Sequence, residues 1–314
     1  LSARVVGHEG PISKIARALR RGAAGLRGHK PLLSALLLGP TGVGKTETAK
    51  AIAEVLFHDA NAMTRLDLSE YSEPHAVARL LGAPPGYVGH EDGGQLTESV
   101  RRRPYQVILF DEMEKAHRDV LESLLQLLDE GRMTDGRGRT VDFTNTVVVF
   151  TSNLGAEAAT DRVARRLGFS SADSDRDDTT RAASDRGDRI AAAARAQLPP
   201  ELYNRFDEIL VYAPLTREDT LSIARITLAK LAAELDKSRG LRLQIDEEAI
   251  AAILDQGGFD PTLGGRPIRR EVARRIEAPL AELLLRGEAK RGDVVWITLE
   301  NGQIIVDLVR SDKM

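Results

Sequence analysis

Short apolar runs alternate with longer segments of mixed polarity along the first two thirds of the chain. The apolar runs at 35–38, 64–68, 106–110 and 146–151 have the length of buried strands. Helices are predicted around 11–27 and at 47–57, 74–81, 94–103 and 115–130, and one more strand at 207–212. Strands that alternate with helices in this way form a mostly parallel sheet between helices, so we predict an α/β fold.

The pattern changes after residue 213. Predicted helices at 216–239, 246–256 and 267–286 precede two alternating strands, 294–299 and 303–309. We therefore predict a large subdomain over 1–213 and a smaller α+β subdomain over 214–314. Within the first, residues 156–198 break the alternation, and 170–189 contain almost no large apolar side chain, so we predict a mobile insertion there.

The composition narrows the classes of function. With 314 residues, 42% hydrophobic and 29% charged, the chain resembles ordinary globular proteins. A formal net charge of −3 argues against nucleic-acid binding through bulk charge, and no apolar run approaches the roughly 20 residues of a membrane span. The absence of Cys fits the reducing cytoplasm. The first residue is Leu1 rather than Met, so we expect a segment of a longer protein.

The most specific pattern follows the first apolar run directly. Residues 39–46 are Gly39, Pro40, Thr41, Gly42, Val43, Gly44, Lys45 and Thr46. Between a strand and a helix, this pattern predicts a phosphate-binding loop whose backbone N–H groups face phosphate oxygens at a helix N-terminus. Lys45 would contact the β- and γ-phosphates, and the Thr46 hydroxyl would bind Mg²⁺. We therefore predict ATP or ADP with Mg²⁺ as the ligand.

Two later strands end in polar residues suited to the same chemistry. The run 107–110 leads into Asp111 and Glu112, and the run 146–151 leads through Ser152 to Asn153. If the first of these strands lies beside the phosphate loop, Asp111 would hold Mg²⁺, through water, and Glu112 would polarise the water that attacks the γ-phosphate. Asn153 would hold that water or the γ-phosphate by hydrogen bonds.

Two arginines are further candidates for the same site. Arg205 would act as an arginine finger that offsets negative charge in the transition state, although it could instead pair with Asp207 or Glu208. Arg266, at the start of a predicted helix, would touch the nucleotide or simply face solvent.

An aromatic residue lies in a loop rich in glycine and proline. Residues 86–89 are Gly86, Tyr87, Val88 and Gly89. A tyrosine between glycines has little prospect of burial in the core. It is either part of a surface turn or a mobile aromatic that grips a ligand.

Taken together, these motifs resemble the Hsp100/Clp family of AAA+ protein unfoldases, in particular their second ATPase module. The resemblance covers essentially the whole chain. Beyond the motifs above, its markers are the segments 4–9, 66–71, 82–89, 111–117, 129–136, 151–155 and 259–270. The chain departs from the family pattern at His8, Leu202, Tyr203, Leu263 and Gly265. None of these positions carries a predicted catalytic group.

The resemblance implies a role for each motif. Val5 and Val6 would line the adenine pocket, and residues 39–46 would be Walker A. Asp111 with Glu112 would be Walker B, and Asn153, Arg205 and Arg266 would be sensor 1, arginine finger and sensor 2. Tyr87 would be the pore-loop aromatic that grips polypeptide, and 131–139 resembles a second pore loop.

The segment 166–170 bears on the choice of partner. Leu167, Gly168 and Phe169 are similar to the apolar tripeptide with which some Clp unfoldases dock on a peptidase ring. The alternative is that Leu167 and Phe169 anchor a loop onto their own domain.

From the sequence we predict an ATP-hydrolysing motor, hexameric in its working form, that threads unfolded or tagged polypeptide through a ring pore. If Leu167, Gly168 and Phe169 dock on a peptidase ring, it would feed a Clp-type peptidase. The alternatives are a disaggregase without a peptidase, a nucleic-acid remodeller or clamp loader, and a nucleotide-regulated assembly module without force generation. The Tyr87 loop and the negative charge favour a protein substrate, and Glu112 argues against a pure switch.

Overall fold

A computed structural model describes residues 1–84, 86, 93–155 and 176–309 of the chain. The chain divides into two compact units. One combines Leu1–Pro40 with Gly44–Ala213, and the other combines Thr41–Val43 with Pro214–Met314. Each unit has its own buried apolar core.

The first unit is built on five parallel strands. Its helices are α1 (Glu9–Ala23), α2 (Lys45–Phe57), α3 (Ala76–Leu81), α4 (Gln95–Arg102), α5 (Arg118–Ser123), α6 (Leu125–Glu130), α7 (Arg176–Gln197) and α8 (Pro200–Tyr203). Its strands are β1 (Leu33–Leu38), β2 (Met63–Asp67), β3 (Val107–Asp111), β4 (Arg132–Thr134), β5 (Thr140–Asp142), β6 (Val147–Ser152) and β7 (Glu208–Val211). The strand order in the main sheet is β2-β3-β6-β1-β7, and every pair is parallel.

The three central strands are buried along their whole length. Every residue of β1, β3 and β6 is buried, as expected for a parallel sheet covered on both faces. Across the sheet, the rings of Phe110 and Phe150 stack with centroids 4.6 Å apart, and Phe206 meets Phe150 edge-on at 5.2 Å. The predicted α/β fold is confirmed.

Two predictions about this unit need correction. The helix expected over 115–130 is divided into α5 and α6, after a 3₁₀ turn at Met113–Lys115. Of the insertion predicted at 156–198, the backbone of Arg176–Gln197 is helical. Ile190 and Ala194, four residues apart, are buried together, so the last turns of α7 belong to the core. Residues 156–175 lie outside the described residues.

The second unit is a small α+β structure, as predicted. Its helices are α9 (Arg217–Arg239), α10 (Glu247–Ile253), α11 (Arg266–Val272) and α12 (Ala278–Leu285). The strands β8 (Arg242–Ile245), β9 (Val294–Glu300) and β10 (Gln303–Val309) form a sheet in the order β10-β9-β8. The pair β9–β10 is antiparallel and β8–β9 is parallel. The sequence pattern did not predict β8, a four-residue strand whose side chains are only half-buried or exposed.

Across the described ranges, no helix combines the length and the apolar character needed to cross a membrane.

Candidate active site

The strand order brings the predicted site residues to one edge of the sheet. The strands of a parallel sheet all end at the same edge, and β6 lies between β1 and β3. The phosphate loop follows β1, Asp111 ends β3, and Asn153 directly follows β6. The strand that ends at Asp111 is therefore not the direct neighbour of β1, because β6 separates them. Asn153 consequently lies between the loop and the acid pair.

The loop after β1 requires glycine at its first position. Gly39 has a φ of 144°, and a Cβ added there would lie 2.4 Å from the Tyr212 carbonyl oxygen. The loop ends at Gly44, with a φ of 105°, which is the N-cap of α2. Because glycine has no side chain, no capping oxygen competes with an anion at this helix start.

Lys45 joins this loop to Asn153. Its Nζ donates to the Pro40 carbonyl at 2.9 Å and to Asn153 Oδ1 at 2.8 Å, and it also donates to the Gly39 carbonyl. The side chain is buried, and Thr46 next to it is half-buried. The ammonium group therefore lies over the loop where phosphate oxygens would replace the carbonyls as acceptors.

Asp111 is held from both sides. Its Oδ1 accepts a hydrogen bond from the Thr151 hydroxyl, and its Oδ2 accepts from Arg65, with Nε at 3.0 Å and an Nη at 2.7 Å. Asp111 is 8% exposed, so these two partners fix the orientation of its carboxylate.

Glu112 adopts a strained backbone conformation. Its φ and ψ are 56° and 52°, in the left-handed region that residues with a side chain rarely occupy. Its N–H donates to Thr151 Oγ1 at 3.2 Å. Strain of this kind often occurs at functional sites, where the surrounding structure holds it in place.

The turns after β3 and β6 are also joined through Glu114. Its Oε1 accepts from the Asn153 N–H at 3.1 Å, while its Oε2 is buried and has no hydrogen-bond partner. The backbone of Asn153 is thereby tied to the Asp111–Glu112 turn, while its side chain contacts Lys45.

The segment predicted to line the adenine pocket is fixed to α2. Arg4 donates to Glu47, with Nη2 at 2.6 Å and Nε at 3.2 Å, and also to Glu54. Val5 is buried and Val6 half-buried. His8, one of the departures from the family pattern, packs on the Tyr212 ring with centroids 4.4 Å apart.

Arg205 does not bond to the carboxylates that the sequence suggested. It pairs with Asp129 and donates to the Glu201 carbonyl, and its side chain is 32% exposed. Asp207 instead pairs with Arg27, and Glu208 with Arg21. Among the described residues, no hydrogen bond joins Arg205 to Lys45, Glu112 or Asn153.

The remaining candidates fall in different places. Arg266 is the first residue of α11 and is exposed. Gly86 is exposed, with a φ of 93° and no atom within 4 Å of an added Cβ. Tyr87, Val88 and Gly89 lie outside the described residues, as do Leu167, Gly168 and Phe169.

The predicted second pore loop is the hairpin β4–β5. At its tip, Asp135 accepts from the N–H groups of Arg137 and Arg139, and it pairs with the Arg139 side chain at 2.6 Å. The Gly136 N–H donates to the Leu81 carbonyl at 3.0 Å, and a Cβ on Gly136 would lie 2.3 Å from the Gly82 oxygen. The hairpin therefore packs against the beginning of the segment that contains Tyr87.

Sequence reasoning missed three residues at this edge: Arg65, Glu114 and Thr151. Thr151 is the last residue but one of β6, and Glu114 lies in the turn after β3, so both are near the strand ends that drew attention to Asp111 and Asn153. Arg65 lies in the middle of β2 and carries no such signal. The partners of all three are 39 to 46 residues away and become visible only in the sheet.

The donor set fits a magnesium nucleotide. Lys45 and the start of α2 supply positive charge and N–H donors, while Thr46 and Asp111 supply the hard oxygen atoms that Mg²⁺ prefers. The positive φ values of Gly39, Gly42 and Gly44 allow the tight turns of the loop backbone.

Comparison with protein families and characterised relatives gives consistent matches. Residues 30–209 match the AAA domain (Cdc48 subfamily), and residues 215–297 match the C-terminal, D2-small domain of ClpB protein. Chaperone protein ClpB 1 of Synechococcus elongatus is 46% identical over 312 residues, covering 99% of this chain and 34% of that protein. ClpB of Mycobacterium tuberculosis is 48% identical over 300 residues, covering 95% and 32% respectively.

A third relative, with a slightly lower sequence identity, is covered to a similar extent. ClpB of Aquifex aeolicus is 44% identical over 306 residues, which are 97% of this chain and 29% of that protein. The chain thus spans about a third of the length of these relatives. It belongs to the AAA family, as a second ATPase module of the Hsp100/Clp type.

Proposed function

We propose that this module binds and hydrolyses ATP with Mg²⁺ at the carboxyl edge of the β2-β3-β6-β1-β7 sheet. The observation that carries the proposal is the contact of Lys45 with Asn153, next to the fixed Asp111 and the strained Glu112. Lys45 and Thr46 would bind the phosphates and the metal ion, Asp111 would hold the metal through water, and Glu112 would orient the attacking water. Bound Mg²⁺ would neutralise charge on the β- and γ-phosphates.

Hydrolysis tests this assignment. Glu112→Gln keeps the side-chain shape but removes the carboxylate, so ATP binding should persist while turnover falls by roughly 10²- to 10⁴-fold. The matched control is Glu122→Gln, which neutralises an exposed carboxylate on α5 and should leave turnover unchanged. Turnover of Glu112→Gln close to that of the wild type would exclude Glu112 as the catalytic carboxylate.

We further propose that hydrolysis drives work on polypeptide in a ring of subunits. The relatives are named as chaperones, which supports a protein-remodelling motor and is compatible with the disaggregase alternative. The names of these relatives give no support to a nucleic-acid substrate. Cytoplasmic location remains our proposal from the composition, and a homohexamer with unfolded or tagged polypeptide as substrate remains our proposal from the resemblance.

Substrate handling has its own test. Tyr87→Ala removes the proposed gripping ring without touching a phosphate contact. In the full-length protein, ATPase activity should survive while unfolding of a tagged protein fails. Unimpaired unfolding by this variant would leave Tyr87 as a surface turn residue.

The relatives give no support to a peptidase partner. The named relatives are chaperones, and their names do not mention a peptidase. Docking on a peptidase ring through Leu167, Gly168 and Phe169 is therefore a prediction from the sequence that needs a direct test. Leu167→Ser with Phe169→Ser should abolish peptidase-coupled degradation while leaving ATPase activity intact. A lowered melting temperature without a specific loss of coupling would indicate the anchoring role instead.

A further inference from the structure

We infer that Thr151 is a positioning residue for hydrolysis, which holds Glu112 in its strained conformation and fixes the Asp111 carboxylate. The inference rests on the proposed role of Glu112 in hydrolysis. It adds to that mechanism Thr151 of β6, which has no proposed contact with the phosphates or with the attacking water. Its evidence is a single hydroxyl group that bonds to two consecutive residues of the neighbouring strand end.

Sheet register places Thr151 where it can do this. Phe110 of β3 is paired with Phe150 of β6, and Asp111 and Thr151 are the next residue on each strand. Thr151 is 1% exposed, so its hydroxyl must find partners within the protein. A hydroxyl group has one hydrogen and two acceptor lone pairs. Thr151 donates its hydrogen to Asp111 Oδ1 and accepts from the Glu112 N–H.

The hydrogen bond that Thr151 accepts from the Glu112 N–H holds a backbone conformation that is unfavourable for a residue with a side chain. Glu112 has the left-handed φ of 56°, and it is not a glycine. The Thr151 oxygen accepts the Glu112 N–H in this conformation at 3.2 Å. Without that acceptor, the turn would relax and the Glu112 carboxylate would point elsewhere.

The first bond fixes the other acid of the pair. Arg65 holds Asp111 Oδ2, and Thr151 holds Oδ1, so the carboxylate cannot rotate about its χ2 angle without losing a partner. One hydroxyl therefore sets the positions of two acidic side chains relative to each other, and both are assigned to the same reaction.

The chain offers a matched control at the other end of the same strand. Thr146, directly before β6, is also fully buried, and its hydroxyl donates to the Phe143 carbonyl at 2.8 Å. Thr146→Val and Thr151→Val each replace a buried hydroxyl by a methyl group of similar size in or next to a strand of valines. They differ in that only Thr151 bonds to Asp111 and Glu112.

Kinetics separate a positioning role from a general structural one. For Thr151→Val, we expect kcat to fall by about 10- to 100-fold with the Kd of a fluorescent ATP analogue nearly unchanged, in the range seen when partners of metal-binding side chains are removed. Thr151→Ser keeps the hydroxyl and should restore kcat, and Thr146→Val should hydrolyse ATP like the wild type. A Thr151→Val enzyme with wild-type kcat, or equal losses in Thr151→Ser or Thr146→Val, would overturn the inference.

Amide hydrogen exchange, followed by NMR without nucleotide, tests the same bond independently of hydrolysis. The Glu112 N–H should exchange about tenfold faster in Thr151→Val, the change expected for loss of one typical hydrogen bond, but not in Thr146→Val. If the wild-type chain does not hydrolyse ATP, the proposed function fails, and the exchange rate still decides whether Thr151 holds Glu112. An unchanged Glu112 exchange rate in Thr151→Val refutes the inference whatever the ATPase result.

Discussion

The two ends of the central sheet contain nearly the same polar cluster, used in different ways. At the carboxyl end, Asp111 accepts from Arg65 and from the Thr151 hydroxyl. At the amino end, Asp207, directly before β7, accepts from Arg27 and from the Ser34 hydroxyl. An aspartate with an arginine and a hydroxyl group is therefore not in itself the mark of a catalytic site.

The surroundings of the two aspartates make the difference. Asp207 also accepts from the Ser34 N–H at 2.6 Å, and its bonds join β1 to β7. Next to Asp111 are the strained Glu112 and the Asn153–Lys45 contact at the start of α2. The amino-end cluster joins two strands, whereas the carboxyl-end cluster lies beside the contact of Asn153 with Lys45, the first residue of α2.

The largest predicted effect concerns Arg205 and tests whether one chain contains every residue that hydrolysis needs. Arg205 pairs with Asp129 and makes no described bond to that edge, so it would act on the site of a neighbouring subunit. Arg205→Ala should lower turnover by about 10³-fold, as for other arginine fingers, with ATP affinity largely intact.

Mixing experiments check that the site is shared. Combining Arg205→Ala with Glu112→Gln subunits should restore part of the activity, because some interfaces then pair an intact Glu112 with an intact Arg205. Equal ATPase activity per subunit at all concentrations, from a demonstrated monomer, would contradict a shared site.

The next effect concerns binding at the carboxyl end. Lys45→Ala removes the ammonium group that lies over the loop, and ATP affinity should fall by about 100-fold, typical of losing a charge-assisted contact. Isothermal titration with ATP measures it. Lys50→Ala, on the exposed side of α2, is the control and should bind normally. Equal affinity in both variants would remove Lys45 from the binding site.

A substitution at the amino end of the sheet should lower the stability of the protein but not its ATPase activity. Burial would raise the pKa of Asp207, but hydrogen bonds from Arg27 and Ser34 outweigh it and hold the pKa below its ordinary value. Asp207→Asn should lower the free energy of unfolding by about 2 kcal/mol near neutral pH, with ATPase activity kept where the protein is folded.

The pH dependence of that loss follows from the direction of the shift. A carboxylate whose pKa is lowered on folding stabilises the protein above its unfolded pKa of about 3.9, and this contribution disappears as the pH falls through the folded pKa. The difference between Asp207→Asn and the wild type in urea unfolding should therefore shrink below about pH 4. A difference independent of pH would show that the charge of Asp207 contributes nothing.

The smallest predicted effect concerns the hydroxyl group of Tyr212, which lies at the carboxyl end of the sheet and has no predicted catalytic role. Burial raises the pKa of Tyr212 to about 12, and its OH lies 3.0 Å from Thr48 Oγ1. Thr48 also donates to the Gly44 carbonyl, so its hydroxyl keeps a partner in Tyr212→Phe. That variant should lose about 1 kcal/mol of stability, a few degrees in Tm, without loss of kcat. A fall in kcat would extend the catalytic cluster to Tyr212.

The sequence determined features that depend on local pattern. The spacing of residues 39–46 between an apolar run and a helix predicts the loop after β1, because glycine and helix-start chemistry act within a few residues. Apolar runs of strand length predicted β1, β3 and β6, and their polar ends drew attention to Asp111, Glu112 and Asn153. The predictions failed where the local signal was weak, as in the polar helix α7 and the short strand β8.

Tertiary structure alone decided which of these residues meet. The placement of β6 between β1 and β3 sets Asn153 beside Lys45 and Thr151 beside Asp111. The pairing of β7 with β1 accompanies the contact of Asp207 with Arg27, across 180 residues of sequence. Strand order follows from how all five strands and their helices bury apolar surface together, and no short segment contains that information. An aspartate, an arginine and a hydroxyl group therefore connect β1 to β7 at the amino end of the sheet, and the same residue types form part of a candidate catalytic site at the carboxyl end.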